Sequence, residues 1–97
     1  MVERYFVYVI KSETHNRFYV GMSEDVVRRL KEHNNGKTKS TKSYKPWLLF
    51  FIEAFGSREE ARKREKYLKS GYGKLWIKQK WSRSSAGYLP ARLSKEE

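Results

Sequence analysis

The sequence contains no cysteine. That excludes a disulfide framework, a thiol nucleophile and a thiolate zinc site, and it suits a reducing compartment. The two histidines, His15 and His33, have no cysteine beside them and no usual zinc spacing. Negative charge is also scarce. Eleven Asp and Glu face twenty-two Lys and Arg, for a net charge of +11. Long apolar runs are missing too, the longest being Trp47 to Ile52, far too short to span a bilayer. Residues 1–11 lack the parts of a signal peptide, because the apolar stretch covers only Tyr5 to Ile10, follows Glu3 and precedes no small-residue cleavage site. There is no glycine-rich phosphate loop, no Gly-x-Ser-x-Gly nucleophile turn and no internal repeat. A soluble cytoplasmic protein without membrane association is the expectation, and no obligate protein partner is evident.

What remains is enough for one small domain. Ninety-seven residues fit a single core, and a chain of this size buries only about 60–65% of its unfolded surface. The 38% hydrophobic and 15% aromatic content supplies that core and argues against disorder. The basic excess is the electrostatic footprint of a polyanion partner, nucleic acid first. A merely solubilising basic surface, or attraction to anionic lipid, would account for the same composition.

The pattern along the chain is ββαβαα. Tyr5 to Ile10 and Arg17 to Met22 are aromatic and β-branched, and the polar Ser12 to Asn16 between them makes an antiparallel hairpin. A loop centred on Glu13 and Thr14 sets Tyr8 opposite Tyr19 on one face. Ser23 is the expected N-cap of a first helix, with Glu24 and Asp25 in its first turn, Val26, Val27 and Leu30 as its apolar stripe and Gly36 closing it. Lys37 to Lys45, KTKSTKSYK, carries four positive charges and no negative one, and reads as an exposed basic loop. The continuous apolarity of WLLFFIEAF predicts a strand buried on both faces. Ser57 and Glu60 form a capping box for a second helix, which Gly71 and Gly73 stop. A short third helix follows from Lys74 to Gln79. The fold class is thus α+β, a three-stranded, mainly antiparallel sheet flanked by helices. The domain spans 1–81, and 82–97 form a loose, Ser-rich and basic tail on which Tyr88 and Leu89 provide docking points.

Several side chains invite chemistry. Glu65 shares the inner stripe of the second helix with Ala61 and Leu68, while Arg62, Lys66 and Lys69 face outward. A carboxylate there must be desolvated unless it is paired or metal-bound. It is a candidate ligand for a hard divalent cation, or alternatively the buried partner of Arg29 or Arg64. Arg29 and His33, four residues apart, face one way on the first helix. The arginine suits a phosphate and the histidine suits proton transfer, although Asp25 one turn earlier is a bland partner for Arg29. Tyr8 and Tyr19 read equally as core aromatics or as a pair of phenols presented to a phosphate. In the second case nearby cations lower one pKa, so that it serves as general base. Gly21 permits close approach of a ligand or the next helix. Lys11, Lys37, Lys39, Lys42 and Lys45 are candidate phosphate contacts, as is the basic cluster from Arg58 to Lys69. Tyr44 and Trp47 are candidate stacking surfaces for an unpaired base.

FVYVI, then FYVG, VVRRLKEHN and SREEARKREKYLK together resemble the GIY-YIG nuclease domain, in particular its small stand-alone bacterial members. Its first motif stands as Phe6-Val7-Tyr8, with Phe6 replacing the family glycine. Its second stands as Tyr19-Val20-Gly21, and the match runs over about residues 4 to 80. The resemblance places the family arginine on Arg29, its histidine on His33 and its metal-binding glutamate on Glu65. It implies phosphodiester hydrolysis by in-line attack of water, with one Mg²⁺ or Mn²⁺ on Glu65 stabilising the leaving oxygen. Tyr8 or Tyr19 is the implied base, assisted by His33, and Arg29 offsets phosphate charge. Lys11 and Asn34 are auxiliary polar candidates. The implied partner is nucleic acid, DNA ahead of RNA. Two other functions suit the same charge: a non-catalytic nucleic-acid-binding module with a nuclease-like fold, and a ribosome- or RNA-associated basic protein.

Overall fold

The computed structural model describes residues 4–88. The elements follow in the order β1 (Tyr5–Ser12), β2 (Phe18–Ser23), α1 (Val26–Asn34), a 3-10 turn (Lys42–Tyr44), β3 (Trp47–Phe55), α2 (Arg58–Lys69) and α3 (Gly71–Tyr88). The fold is α+β with one antiparallel sheet in the order β2-β1-β3. Among the described residues, no helix is long and apolar enough to cross a membrane. The chain divides into two compact units, one ending at Lys66 and the other beginning at Tyr67.

In the first unit β1 is the central strand, and Val7, Tyr8, Val9 and Ile10 are each at most 1% exposed. The WLLFFIEAF strand, expected to be buried on both faces, is instead the edge strand β3, and Ile52 on it is 44% exposed. Continuous apolarity supplied side chains for a half-covered edge because a small fold cannot hide every large residue. Along the hairpin, Tyr8 pairs with Gly21 and Tyr19 with Ile10, so the tyrosines are diagonal neighbours on one face rather than directly opposite. The cause lies in the turn. Ser12 Oγ accepts from the backbone N–H of both Thr14 and His15, and the Ser12 N–H bonds Arg17 O, which moves the centre of the loop one residue later than Glu13 and Thr14. A centre shifted by one residue moves the register by two, which preserves the face.

The pairing of β1 with β3 shifts register between Val9 and Ile10, where Phe51 pairs with Val9 but Leu49 with Ile10. The residue left over, Phe50, is a bulge, and its effect is to turn Leu49 and Trp47 onto the face that carries Tyr8 and Ile10. On that face Tyr8, Ile10, Val26 and Trp47 form one core cluster, with Phe6, Tyr19, Leu30, Tyr44 and Leu49 packed around it. Helix α1 covers this face with Val26, Leu30 and His33, spaced as one helical stripe, while Val27 is 66% exposed.

The N-cap of α1 is Asp25, not Ser23, because the Asp25 carboxylate accepts from Arg28 N–H at 3.0 Å. Ser23 ends β2, and its hydroxyl accepts from the Asp25 N–H just ahead of the helix. Gly36 closes α1 with φ +77°, as the glycine signal implied. Ser57 caps α2 as expected, its hydroxyl accepting from Glu60 N–H, and Arg64 ties that helix to β3 through Glu53 at 2.8 Å.

In the second unit the glycines expected to end α2 lie at the start of α3. Ser70 makes the break. Its hydroxyl donates to Tyr67 O at 2.6 Å and accepts from Gly73 N–H at 3.2 Å, closing one helix and capping the next. Gly73 is required by proximity, since a Cβ there would lie 2.5 Å from Leu68 Cα. The third helix is therefore far longer than Lys74 to Gln79. Ser82 to Tyr88, expected to begin a loose tail, continue α3. Leu89 and the rest of that expected tail lie outside the described residues.

Candidate active site

Three elements of the first unit, β1, β2 and α1, meet at the hydroxyl of Tyr8. Gly21 lies opposite it on β2, and a Cβ there would come within 2.5 Å of Tyr8 Cζ. The space that glycine leaves is filled by the Tyr8 ring, not by a ligand or helix. From α1, His33 Nε2 is 3.0 Å from the Tyr8 hydroxyl, and His33 is itself fully buried. Its other nitrogen, Nδ1, is 2.8 Å from Thr41 Oγ1 in the basic loop. The Arg29 guanidinium, one turn before His33, lies near enough for its charge to act on the Tyr8 phenol. Tyr19 packs its ring 4.9 Å from that of His33 and 6.4 Å from that of Tyr8. Among the described residues its hydroxyl makes no hydrogen bond. Glu65 on α2 is near enough for its charge to act on Tyr8.

The electrostatics are those of an enclosed polar network. Burial pushes the Tyr8 phenol above its usual pKa, with Arg29 opposing and Tyr19 and Glu65 adding to the rise. The expected cation-driven lowering at Tyr8 is thus outweighed by desolvation, because the ring is 1% exposed. Burial also lowers the His33 pKa, and the Arg29 cation acts in the same direction while Glu32 opposes it. His33 is therefore a neutral imidazole. Arg29 is held chiefly by Glu32, whose hydrogen bond raises the guanidinium pKa and lowers that of the carboxylate. Asp25, the bland partner suggested by spacing, caps the helix and lies 3.9 Å from Arg28 instead.

Glu65 sits where the helical stripe put it, 14% exposed between the buried Ala61 and Leu68. Its ion pair is with Arg62 at 3.5 Å, not with Arg29 or Arg64. Those two arginines turn to Glu32 and Glu53, which are the nearer carboxylates in the folded chain. Among the described residues, no three His, Cys, Asp or Glu side chains cluster around a common point. A site at Glu65 would thus offer at most two such donors from the described residues. That fits Mg²⁺ or Mn²⁺ that retains most of its waters and shares a substrate phosphate, and does not fit a caged structural ion.

The surface candidates separate into two groups. Lys37, Lys39, Lys42 and Lys45 are exposed, as expected, but the loop that carries them is anchored through Thr41, which is 1% exposed. Lys11 folds back onto the hairpin turn, donating to Ser12 O at 2.7 Å and His15 O at 3.0 Å, and burial lowers its pKa. Trp47 is 4% exposed and donates from its indole to Thr41 O, so it is closed to a base. Tyr44 is half-buried, with Arg17 4.6 Å from its ring centroid and His15 edge-on at 4.9 Å. Asn34 is a strut: its amide donates to Trp47 O at 3.1 Å and accepts from Trp47 N–H. Thr41 and Glu32 went unnoticed in the sequence, and Arg62 was read only as an outward-facing cation. Thr41 in particular lies among Thr38, Ser40 and Ser43 with nothing local to distinguish it.

Comparison with known proteins identifies the family. The GIY-YIG catalytic domain model matches residues 4–80. UPF0213 protein YazA of Bacillus subtilis (strain 168) is 37% identical over 91 residues, 90% of this chain and 91% of that protein. UPF0213 protein SSP2268 of Staphylococcus saprophyticus is 33% identical over 70 residues, 71% of this chain and 84% of its own. The solution NMR structure of UPF0213 protein BH0048 from Bacillus halodurans is 33% identical, covers 78% of this chain and 83% of that one, and superposes with a TM-score of 0.48. A domain match that takes in both strand motifs, α1 and α2 shows that the chain belongs to the GIY-YIG family, a family of nucleases.

Proposed function

We propose that this protein is a metal-dependent endonuclease that hydrolyses phosphodiester bonds in nucleic acid, DNA ahead of RNA. The observation that carries the proposal is the Tyr8 hydroxyl 3.0 Å from the Nε2 of a buried neutral histidine, with the Arg29 charge acting on the same phenol. A phenol is a poor base alone, and an imidazole that can take its proton makes it a competent one.

In this mechanism the attacking water gives a proton to the Tyr8 oxygen as the Tyr8 proton passes to His33 Nε2. The water oxygen forms its bond to phosphorus in line with the scissile P–O bond, and that bond breaks with its electron pair leaving on the departing oxygen. The leaving oxygen is protonated from solvent, and His33 returns its extra proton there. Burial keeps Tyr8 protonated until substrate arrives, so the two proton movements are coupled to attack. Arg29 is the group with a reason to move. A phosphate offers its fork two oxygens in place of the Glu32 contact. Tyr19, its hydroxyl uncommitted among the described residues, is placed to donate to a phosphate oxygen. Glu65 would hold the divalent cation, which when bound offsets charge on the phosphate and the leaving oxygen. The exposed lysines of residues 37–45 would track the backbone.

A second reading, a non-catalytic nucleic-acid-binding module, is favoured by the same burial: Tyr8 is 1% and His33 0% exposed, and such a network also serves a core. Cleavage of branched, nicked and single-stranded substrates, with and without Mg²⁺ or Mn²⁺, separates the two. Metal-dependent scission by the wild type, lost in Tyr8→Phe, is expected. Binding without scission of any substrate would establish the module instead.

A further inference from the structure

We propose that Thr41 is a positioning residue that fixes the tautomer of His33, and with it the direction in which the Tyr8 proton can travel. The inference rests on the proposed nuclease reading for its catalytic consequence, but not for the proton arrangement itself.

The arrangement follows from the two ends of the network. At one end, Thr41 Oγ1 is 3.3 Å from Thr38 O and 2.8 Å from His33 Nδ1. Thr38 O already accepts from the N–H of Thr41 and of Lys42, so this end permits two arrangements: the hydroxyl proton on Thr38 O with Nδ1–H donating to Oγ1, or the hydroxyl donating to a bare Nδ1. The other end decides between them, because among the described residues His33 Nε2 is the hydrogen-bond partner of the Tyr8 hydroxyl. The Tyr8 proton, 1% exposed, then needs an acceptor, and His33 Nε2 at 3.0 Å supplies it. That places the lone pair on Nε2 and the hydrogen on Nδ1, which Thr41 Oγ1 then accepts. In the opposite tautomer Nε2–H would point at the phenol oxygen, whose own hydrogen would be buried without an acceptor, and a buried unmet donor is costly.

The placement of Thr41 does not depend on its hydroxyl. Its N–H bonds Thr38 O at 3.1 Å, and its carbonyl accepts from the Trp47 indole at 3.0 Å. The side chain can therefore be changed while the backbone stays anchored. Thr41 also stands between Lys39 and Lys42, so the segment expected to meet phosphates is the one that holds the proton on Nδ1.

The test is ¹⁵N NMR of the imidazole nitrogens in the full chain at neutral pH, with His15→Gln used to separate the two histidines. Wild-type His33 should show a protonated Nδ1 and an unprotonated Nε2. Thr41→Val should shift it toward the Nε2–H form or a mixture, and Thr41→Ser, which keeps the hydroxyl, should restore the wild-type pattern. In the cleavage assay Thr41→Val should lower kcat about 10- to 100-fold, within the range of general-base effects, with KM little changed. Thr41→Ser should remain close to wild type. A wild-type spectrum with the proton on Nε2 overturns the proposal even if Thr41→Val fails to fold. So does a Thr41→Val protein with unchanged tautomer and unchanged kcat. If the tautomer behaves as stated but the wild type cuts nothing, the nuclease reading fails while the assignment of the proton stands.

Discussion

The Tyr8 hydroxyl and His33 Nε2, 25 residues apart in sequence, lie 3.0 Å apart across the interface of the central strand with α1. Removing the hydroxyl separates its chemistry from its structural share. Tyr8→Phe should lower metal-dependent cleavage by about 10²-fold or more. It also leaves His33 Nε2 without a donor in the core, which costs about 1–3 kcal/mol. Single-turnover cleavage at a temperature well below the melting midpoint keeps the two effects apart. Full activity in a folded Tyr8→Phe protein would remove Tyr8 from the mechanism, and the same change at Tyr19 then decides whether the other phenol is the base.

Glu65 discriminates metal binding from structural pairing. Its ion pair is with Arg62, whose side chain is 49% exposed, and screened pairs of that kind contribute about 0–1 kcal/mol. Losing the Arg62 pair by itself thus costs little, and with Glu65 as a metal ligand, Glu65→Gln should bind nucleic acid as well or better and lose cleavage by about 10²-fold or more, the scale of one lost transition-state contact. A mutant that melts like the wild type and still cuts would falsify the catalytic role.

His33 should make stability depend on pH. In the unfolded chain its imidazole takes a proton near the usual pKa of about 6.5, whereas burial lowers that value in the folded protein. Between the two values the unfolded state binds more protons. The contribution is thus complete above about pH 6.5 and is lost as pH falls through the lowered folded pKa. The groups around it are Arg29 and Glu32 on its own helix, Tyr8 and Tyr19 on the strands, and Thr41 in the loop. Thermal melts from neutral to mildly acidic pH should show this fall in the wild type and a shallower one in His33→Gln. Equal slopes in the two proteins would mean that His33 is not buried neutral.

Gly21 and Gly56 form a matched pair of substitutions. A Cβ on Gly21 would run into the Tyr8 ring, while one on Gly56 meets nothing within 4 Å. Gly21→Ala should destabilise by about 1–3 kcal/mol, as overpacking does, and should depress cleavage by displacing the phenol. Gly56→Ala should be neutral or slightly stabilising. Denaturant unfolding of both, with cleavage rates, checks the contrast.

Binding should be steeply salt-dependent, given the +11 net charge and the exposed Lys37, Lys39, Lys42 and Lys45. The slope of log affinity against log salt should be near −0.9 per phosphate neutralised on duplex DNA. Lys39→Ala with Lys42→Ala should reduce it by about 1–2 and weaken all sequences alike. A flat response in the wild type would argue against a nucleic-acid partner.

The sequence by itself determined the element order, the single sheet and the helical face shared by Arg29 and His33, because local hydrophobic period and spacing carry that information. Glu65 on the inner stripe of α2 was likewise visible, from its position between Ala61 and Leu68. Strand order was not. An apolar run reads the same whether it becomes the central strand or the half-covered edge that β3 is, and only pairing decides which. Tyr8 and Tyr19 were placed on one face correctly but in the wrong register, since two hydrogen bonds to Ser12 Oγ set the turn. The partners of the charged residues were also decided by the fold. Arg29 goes to Glu32, Arg64 to Glu53 and Glu65 to Arg62, choices that depend on which groups the folded backbone brings within reach. Thr41 shows the limit most clearly. Nothing in KTKSTKSYK separates it from the hydroxyls around it, and its burial against His33 is a contact between segments that are joined only in three dimensions.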